Sequence, residues 1–148
     1  MRLINNSQDA RLVAENTYEL MDYLRSQTEK MPESISFKGE YAGRKVAYHA
    51  PCHLKALRLA DISVELLKKR GLNITDINGG CCGLAGTAGM QKKHRDLSDA
   101  IGSLLAGRIR DLNPDVILTE CAACKMQIEH LTGKPVLHPI KLLAQTFK

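Results

Sequence analysis

The spacing of apolar positions changes several times along the chain, and each change predicts a new element. Over residues 9 to about 30, Val13, Leu20, Met21 and Leu24 recur at helical spacing behind a cap at Ser7 or Asp9, which predicts a lead-in helix. Pro32, Ser34, Ser36, Gly39 and Gly43 make residues 31–43 read as a connector. Residues 45–50 have the short, partly β-branched and aromatic character of a strand, which Pro51 ends. A helix is predicted over 54–70, with Leu57, Ala60, Val64 and Leu67 on one face, Lys68, Lys69 and Arg70 in its last turn and Gly71 as its stop. Residues 72–77 alternate apolar and polar, as a strand does. A second long helix is predicted over 98–112, on a stripe of Ile101, Leu104, Leu105, Ile109 and Leu112, and Asn113-Pro114 breaks it. The apolar run 116–119 suits a buried parallel strand. A helix over about 122–131, a strand at 135–137 and a helix over 140–147 complete the series.

Strands alternating with helices predict an α/β fold, a small open parallel sheet of about four strands with flanking helices. In such sheets ligands bind beyond the carboxyl ends of the strands. The division expected is a lead-in helix and connector over 1–43 and a main domain over 44–148. The abrupt start suggests a piece of a longer subunit.

Composition narrows the function classes. The 148 residues are 44% hydrophobic and 25% charged, which matches an ordinary folded domain. No apolar run approaches the ~20 residues of a membrane span, and Asn5, Asn6 and Gln8 interrupt any signal-peptide core, so a cytoplasmic chain is expected. The net charge is +5, but with two Phe, four Tyr and no Trp there is little for bases to stack on. No nucleic-acid partner is expected.

The cysteines carry the chemistry. All five lie between positions 52 and 124, in the pattern C-x28-C-C-G-x37-C-x2-C, and each group follows a predicted strand. Five thiols cannot all pair, and a bridge between Cys81 and Cys82 would be strained. A tetrahedral zinc ion needs four ligands and leaves one thiol idle. A polynuclear iron-sulfur centre offers several irons, so neighbouring thiolates can each find one. Cys52, Cys81, Cys82, Cys121 and Cys124 are therefore the candidate metal ligands, with zinc as the alternative.

The glycines Gly79, Gly80, Gly83, Gly86 and Gly89 allow close backbone approach and amide N–H groups directed at sulfur; Gly80 and Gly83 are the candidate cofactor contacts. A glycine-rich loop or an anion cradle is the competing explanation. Cys121 and Cys124 open a predicted helix, where the dipole favours thiolates. Lys92, Lys93 and Lys125 can offset their charge. His49, His53 and His138 lie near strand ends, and His53 or His138 is expected to reach the rim as a ligand, a proton donor or a wall residue.

With Cys52, Cys81-Cys82-Gly83, Cys121 and Cys124 in that order, the sequence resembles the cysteine-rich CCG domain of iron-sulfur oxidoreductases from about Val46 onward. That family includes the B subunit of heterodisulfide reductase, the glycolate oxidase iron-sulfur subunit and lactate-utilisation proteins. The segments His49-Ala50-Pro51-Cys52-His53-Leu54, Gly80-Cys81-Cys82-Gly83-Leu84-Ala85-Gly86 and Cys121-Ala122-Ala123-Cys124-Lys125-Met126 resemble the branch that serves anaerobic glycerol-3-phosphate dehydrogenases. The resemblance implies a four-iron, four-sulfur non-cubane cluster on the five cysteines, which an aerobic preparation can lose. It also implies an oxidoreductase component with no complete substrate site of its own. Electrons would pass from flavoprotein dehydrogenase subunits towards membrane quinone, with the chain peripheral to the inner membrane face through its complex. Thiol/disulfide chemistry at the cluster, as in heterodisulfide reductase, and a zinc-bearing docking module are the alternatives.

Overall fold

The computed structural model describes residues 7–28 and 40–147. Two short helices come first, α1 (Gln8–Glu15) and α2 (Leu20–Thr28). Four strands then alternate with helices: β1 (Val46–Tyr48), α3 (Cys52–Leu57), α4 (Ile62–Lys69), β2 (Ile74–Asp76), α5 (Arg95–Leu112), β3 (Val116–Leu118), α6 (Ala122–Thr132), β4 (Val136–Leu137) and α7 (Pro139–Leu143). The strands form one parallel sheet in the order β2-β1-β3-β4. This is the α/β architecture that the alternation predicts.

Side-chain alternation along the central strands divides the core into two layers. Val46, Tyr48, Val116 and Leu118 pack with Met21 of α2, Leu66 and Leu67 of α4 and Leu142 and Leu143 of α7. Ala47 and Ile117 face the other way, against Leu105 and Ile109 of α5 and Ile128 of α6. β1 and β3 are buried along their whole length because helices cover both faces.

Two of the predicted helices change. The lead-in helix is two helices: Asn16 Nδ2 and Thr17 Oγ1 donate to the carbonyls of Leu12 and Val13, so side chains compete with the next backbone turn. The connector over 31–43 lies mostly outside the described residues. The helix predicted over 54–70 breaks at Arg58, which sits left-handed at φ 59. Leu59 N–H donates to Leu54 O and Arg58 N–H to Lys55 O, a Schellman stop. The break turns the buried face, so that Leu57 is exposed while Ile62, Ser63, Leu66 and Leu67 face inward. Glycine is the residue this conformation favours, so Arg58→Gly is expected to raise stability by about 0.5–1 kcal/mol in urea unfolding. An unchanged or lower midpoint would contradict that account.

α5 begins at Arg95 and presents Ser98, Gly102, Leu105, Ala106 and Ile109 to the core. Ile101 and Leu104, expected on the buried stripe, are exposed instead. Left-handed Asn113 ends the helix, and Pro114 prevents its continuation.

Candidate metal centre

The chain leaves β1 for β2 on one side and returns past β1 to β3, so a crevice opens between the carboxyl ends of β1 and β3. All three cysteine segments reach it. After β1, His49 N–H donates to Leu118 O at 2.9 Å and extends the ladder; Pro51 then caps α3, which makes Cys52 its first residue. After β2, Ile77 N–H donates to Tyr48 O at 2.9 Å, and left-handed Asn78 and Gly80 turn the chain back before Cys81 and Cys82. After β3, Cys121 is the cap residue of α6, and Cys124 lies in its first turn.

The loop before Cys121 is tied down from the opposite face of the sheet. Tyr48 OH donates to Glu120 Oε2 at 2.9 Å, and Ser63 Oγ donates to Glu120 Oε1. Burial raises the Glu120 carboxyl above its ordinary pKa, and the two hydroxyl donors oppose that rise. Burial and the Glu120 carboxylate together push the Tyr48 phenol up. These bonds fix the backbone that delivers Cys121.

A cavity of about 170 Å³ is lined by His49, Cys52, Lys55, Gly80, Cys81, Cys82 and Cys124. No disulfide links the cysteines. Cys82 and Cys124 are buried, Cys52 and Cys81 are exposed, and Cys121 is partly buried. Cys124 Sγ donates to Cys82 Sγ across 3.2 Å, which lowers the Cys82 pKa to about 6 despite its burial. Giving that hydrogen bond, burial and the neighbouring Cys82 and Cys121 sulfurs drive the Cys124 thiol up. Cys121 does not line the cavity, but it stands beside Cys124 at the head of α6. Among the described residues no three His, Cys, Asp or Glu side chains converge tightly enough to hold one metal ion. The thiols ring a space.

Of the two glycines singled out, Gly80 is left-handed, forms part of the cavity wall and has open space where a Cβ would stand. Gly83 donates its N–H to Cys81 Sγ at 3.4 Å. It also serves packing: at φ 96, a Cβ there would lie less than 3.0 Å from the Ser98 carbonyl oxygen of α5. Facing it, a Cβ on Gly102 would crowd the Cys82 carbonyl in the same way. The turn and the helix therefore meet backbone to backbone.

The charged neighbours differ from those expected. Lys125 Nζ is bound to Glu129 and to the Val136 carbonyl at 2.6 Å, while Lys92 and Lys93 are exposed on the short turn Lys92–His94 and do not line the cavity. The lysine at the cavity is Lys55, one helical turn beyond Cys52. Of the histidines, His53 is exposed and outside the lining, and His138 Nδ1 accepts from Ile140 N–H to cap α7. The histidine in the wall is His49.

The fold and its rim of thiols define a cysteine-rich α/β domain, and the family model CCG: Cysteine-rich domain matches residues 46–129. The chain belongs to that family. It is 42% identical over 102 residues to the C subunit of the anaerobic glycerol-3-phosphate dehydrogenase of Escherichia coli K12, covering 68% of this chain and 26% of that protein. It is 31% identical over 105 residues to the B subunit of the fumarate reductase (CoM/CoB) of Methanothermobacter marburgensis, covering 67% of this chain and 21% of that protein. It is also 31% identical over 116 residues to an iron-sulfur protein of Methanocaldococcus jannaschii, covering 77% of this chain and 22% of that protein. The chain thus spans about a quarter or less of the length of these relatives. No solved structure matches it. Among the described residues no helix is long and apolar enough to cross a membrane.

Proposed function

We propose that this chain is an iron-sulfur electron-transfer domain whose cluster is held by Cys52, Cys81, Cys82, Cys121 and Cys124. The observation that carries this reading is the convergence of thiols from three distant stretches of chain on one rim, four of them lining a single cavity. The donor set fits a polynuclear centre. The cavity is several times the ~30 Å³ share of one water molecule, and thiolates are the usual ligands of iron-sulfur clusters. Such a cluster, when bound, would supply one-electron transfer. The protein contributes a partly buried site, the Gly83 amide at Cys81 and a positive charge at Lys55, all of which affect the ease of reduction. Gly80 keeps one side of the wall free of a side chain.

The finer reading rests on the 42% identity to the anaerobic dehydrogenase component. On it, the domain belongs to a respiratory dehydrogenase complex at the inner face of the membrane. It would take electrons from flavoprotein subunits and pass them towards quinone through a four-iron non-cubane cluster held by the five cysteines.

Anaerobic purification followed by iron, sulfide and zinc analysis with EPR tests the proposal. Iron and acid-labile sulfide together, with a paramagnetic signal in one redox state, are expected. Zinc alone at full occupancy would replace the reading with a structural metal module.

A further inference from the structure

His49 is one of the most enclosed polar residues of the molecule, at 2% exposure. Its backbone is fixed by the N–H bond to Leu118 O, so the ring cannot drift away from the rim. Strand alternation puts it on the face of Ala47, the layer that also contains Cys82 and Cys124. The ring belongs to the wall of the thiol-lined cavity. A polar ring enclosed to this degree is costly unless its N–H finds an acceptor. Burial and the nearby Lys55 ammonium lower its pKa to about 4, and in either protonation state the ring keeps an N–H to give. Four of the residues that share its cavity wall carry sulfurs, which accept hydrogen bonds.

We propose that His49 is a positioning residue for the centre in this cavity: its ring N–H donates a hydrogen bond to a sulfur of the cluster and makes the cluster easier to reduce. The inference rests on the iron-sulfur reading above. Its physical basis is that reduction adds negative charge to sulfur, so a donor aimed there stabilises the reduced state more than the oxidised one. His49 thus acts on the potential without supplying a bond to iron.

The test uses the full chain, assembled anaerobically, as the parent, His49→Gln and His49→Leu. Iron and sulfide are measured first, then the reduced fraction in a potentiometric titration followed by EPR. The ¹⁵N hyperfine coupling of protein labelled at histidine is recorded in the paramagnetic state. Similar iron content in all three is expected. At fixed potential the reduced-to-oxidised ratio of His49→Leu should fall about fivefold, the size of one net hydrogen bond, and His49→Gln should fall less because its amide can still donate. The parent should show a weak histidine coupling that His49→Leu lacks. Unchanged potential in a fully loaded His49→Leu overturns the inference while the iron-sulfur reading stands, as does a strong coupling typical of direct ligation. Equal loss of iron from both variants, with folding by circular dichroism intact, also overturns it, since a tuning hydrogen bond should not decide occupancy. A parent that assembles no cluster removes both readings.

Discussion

Replacing Cys124 with serine is expected to lower the iron bound by anaerobically assembled protein by at least about tenfold, because even outer partners of a metal site are worth that much. Cys124 is buried, opposite Cys82 across 3.2 Å, and its neighbour Cys121 shares the head of α6. Removing this sulfur takes away one of the two buried thiols that line the cavity. The fold should survive, since a serine hydroxyl is nearly isosteric and can donate to Cys82 as the thiol does. Thermal unfolding of the metal-free forms checks this, with midpoints within a few degrees expected. Iron content unaffected by Cys124→Ser would remove Cys124 from the proposed ligand set.

The second large effect lies in the scaffold. Gly83→Ala should destabilise the protein by more than about 4 kcal/mol, at the far end of what single substitutions do. The new methyl would meet a helix carbonyl, which cannot rotate aside as a side chain could, and the φ of 96 would be strained besides. A total stability of about 5–15 kcal/mol leaves little after such a loss, so poor soluble yield or a much lower melting temperature is expected. Gly80→Ala provides the comparison. It has the same left-handed backbone but open space around it, so its cost should be that of backbone strain alone, roughly 1–2 kcal/mol. Equal melting temperatures for the two variants would show that the contact between the cysteine turn and α5 has room for a methyl group.

Much of this architecture was legible because the strongest signals are local. β1 and β3 stood out as short apolar runs cut off by Pro51 and by the cysteine segment, and the stop of α5 at Asn113-Pro114 was plain. The break at Arg58 was not, because arginine carries no sign of a left-handed conformation; the stop is made by hydrogen bonds from residues 58 and 59. Nor did periodicity alone reveal that Ile101 and Leu104 face solvent while Gly102 faces inward: the helix turns its glycine to the core because the cysteine turn needs that space. At the candidate site the same division holds. Cysteine spacing marked the thiols, since strand ends in a parallel sheet share one rim. Side chains that approach from elsewhere were harder to read. Lys125 looked available until its bonds to Glu129 and the Val136 carbonyl were seen, and Lys55 was visible only as a position one turn beyond Cys52.

The parallel pairing of β1 and β3 has a consequence for how the sulfurs are spaced. Tyr48 lies opposite Leu118 in the sheet, and the chain counts four residues onward to Cys52 and three to Cys121. The two central strands therefore work as a calliper. A slip of one residue would carry one jaw about 3.3 Å along the axis and turn alternate side chains to the wrong layer. The buried strands measure out the mouth of the cavity while contributing no sulfur to it.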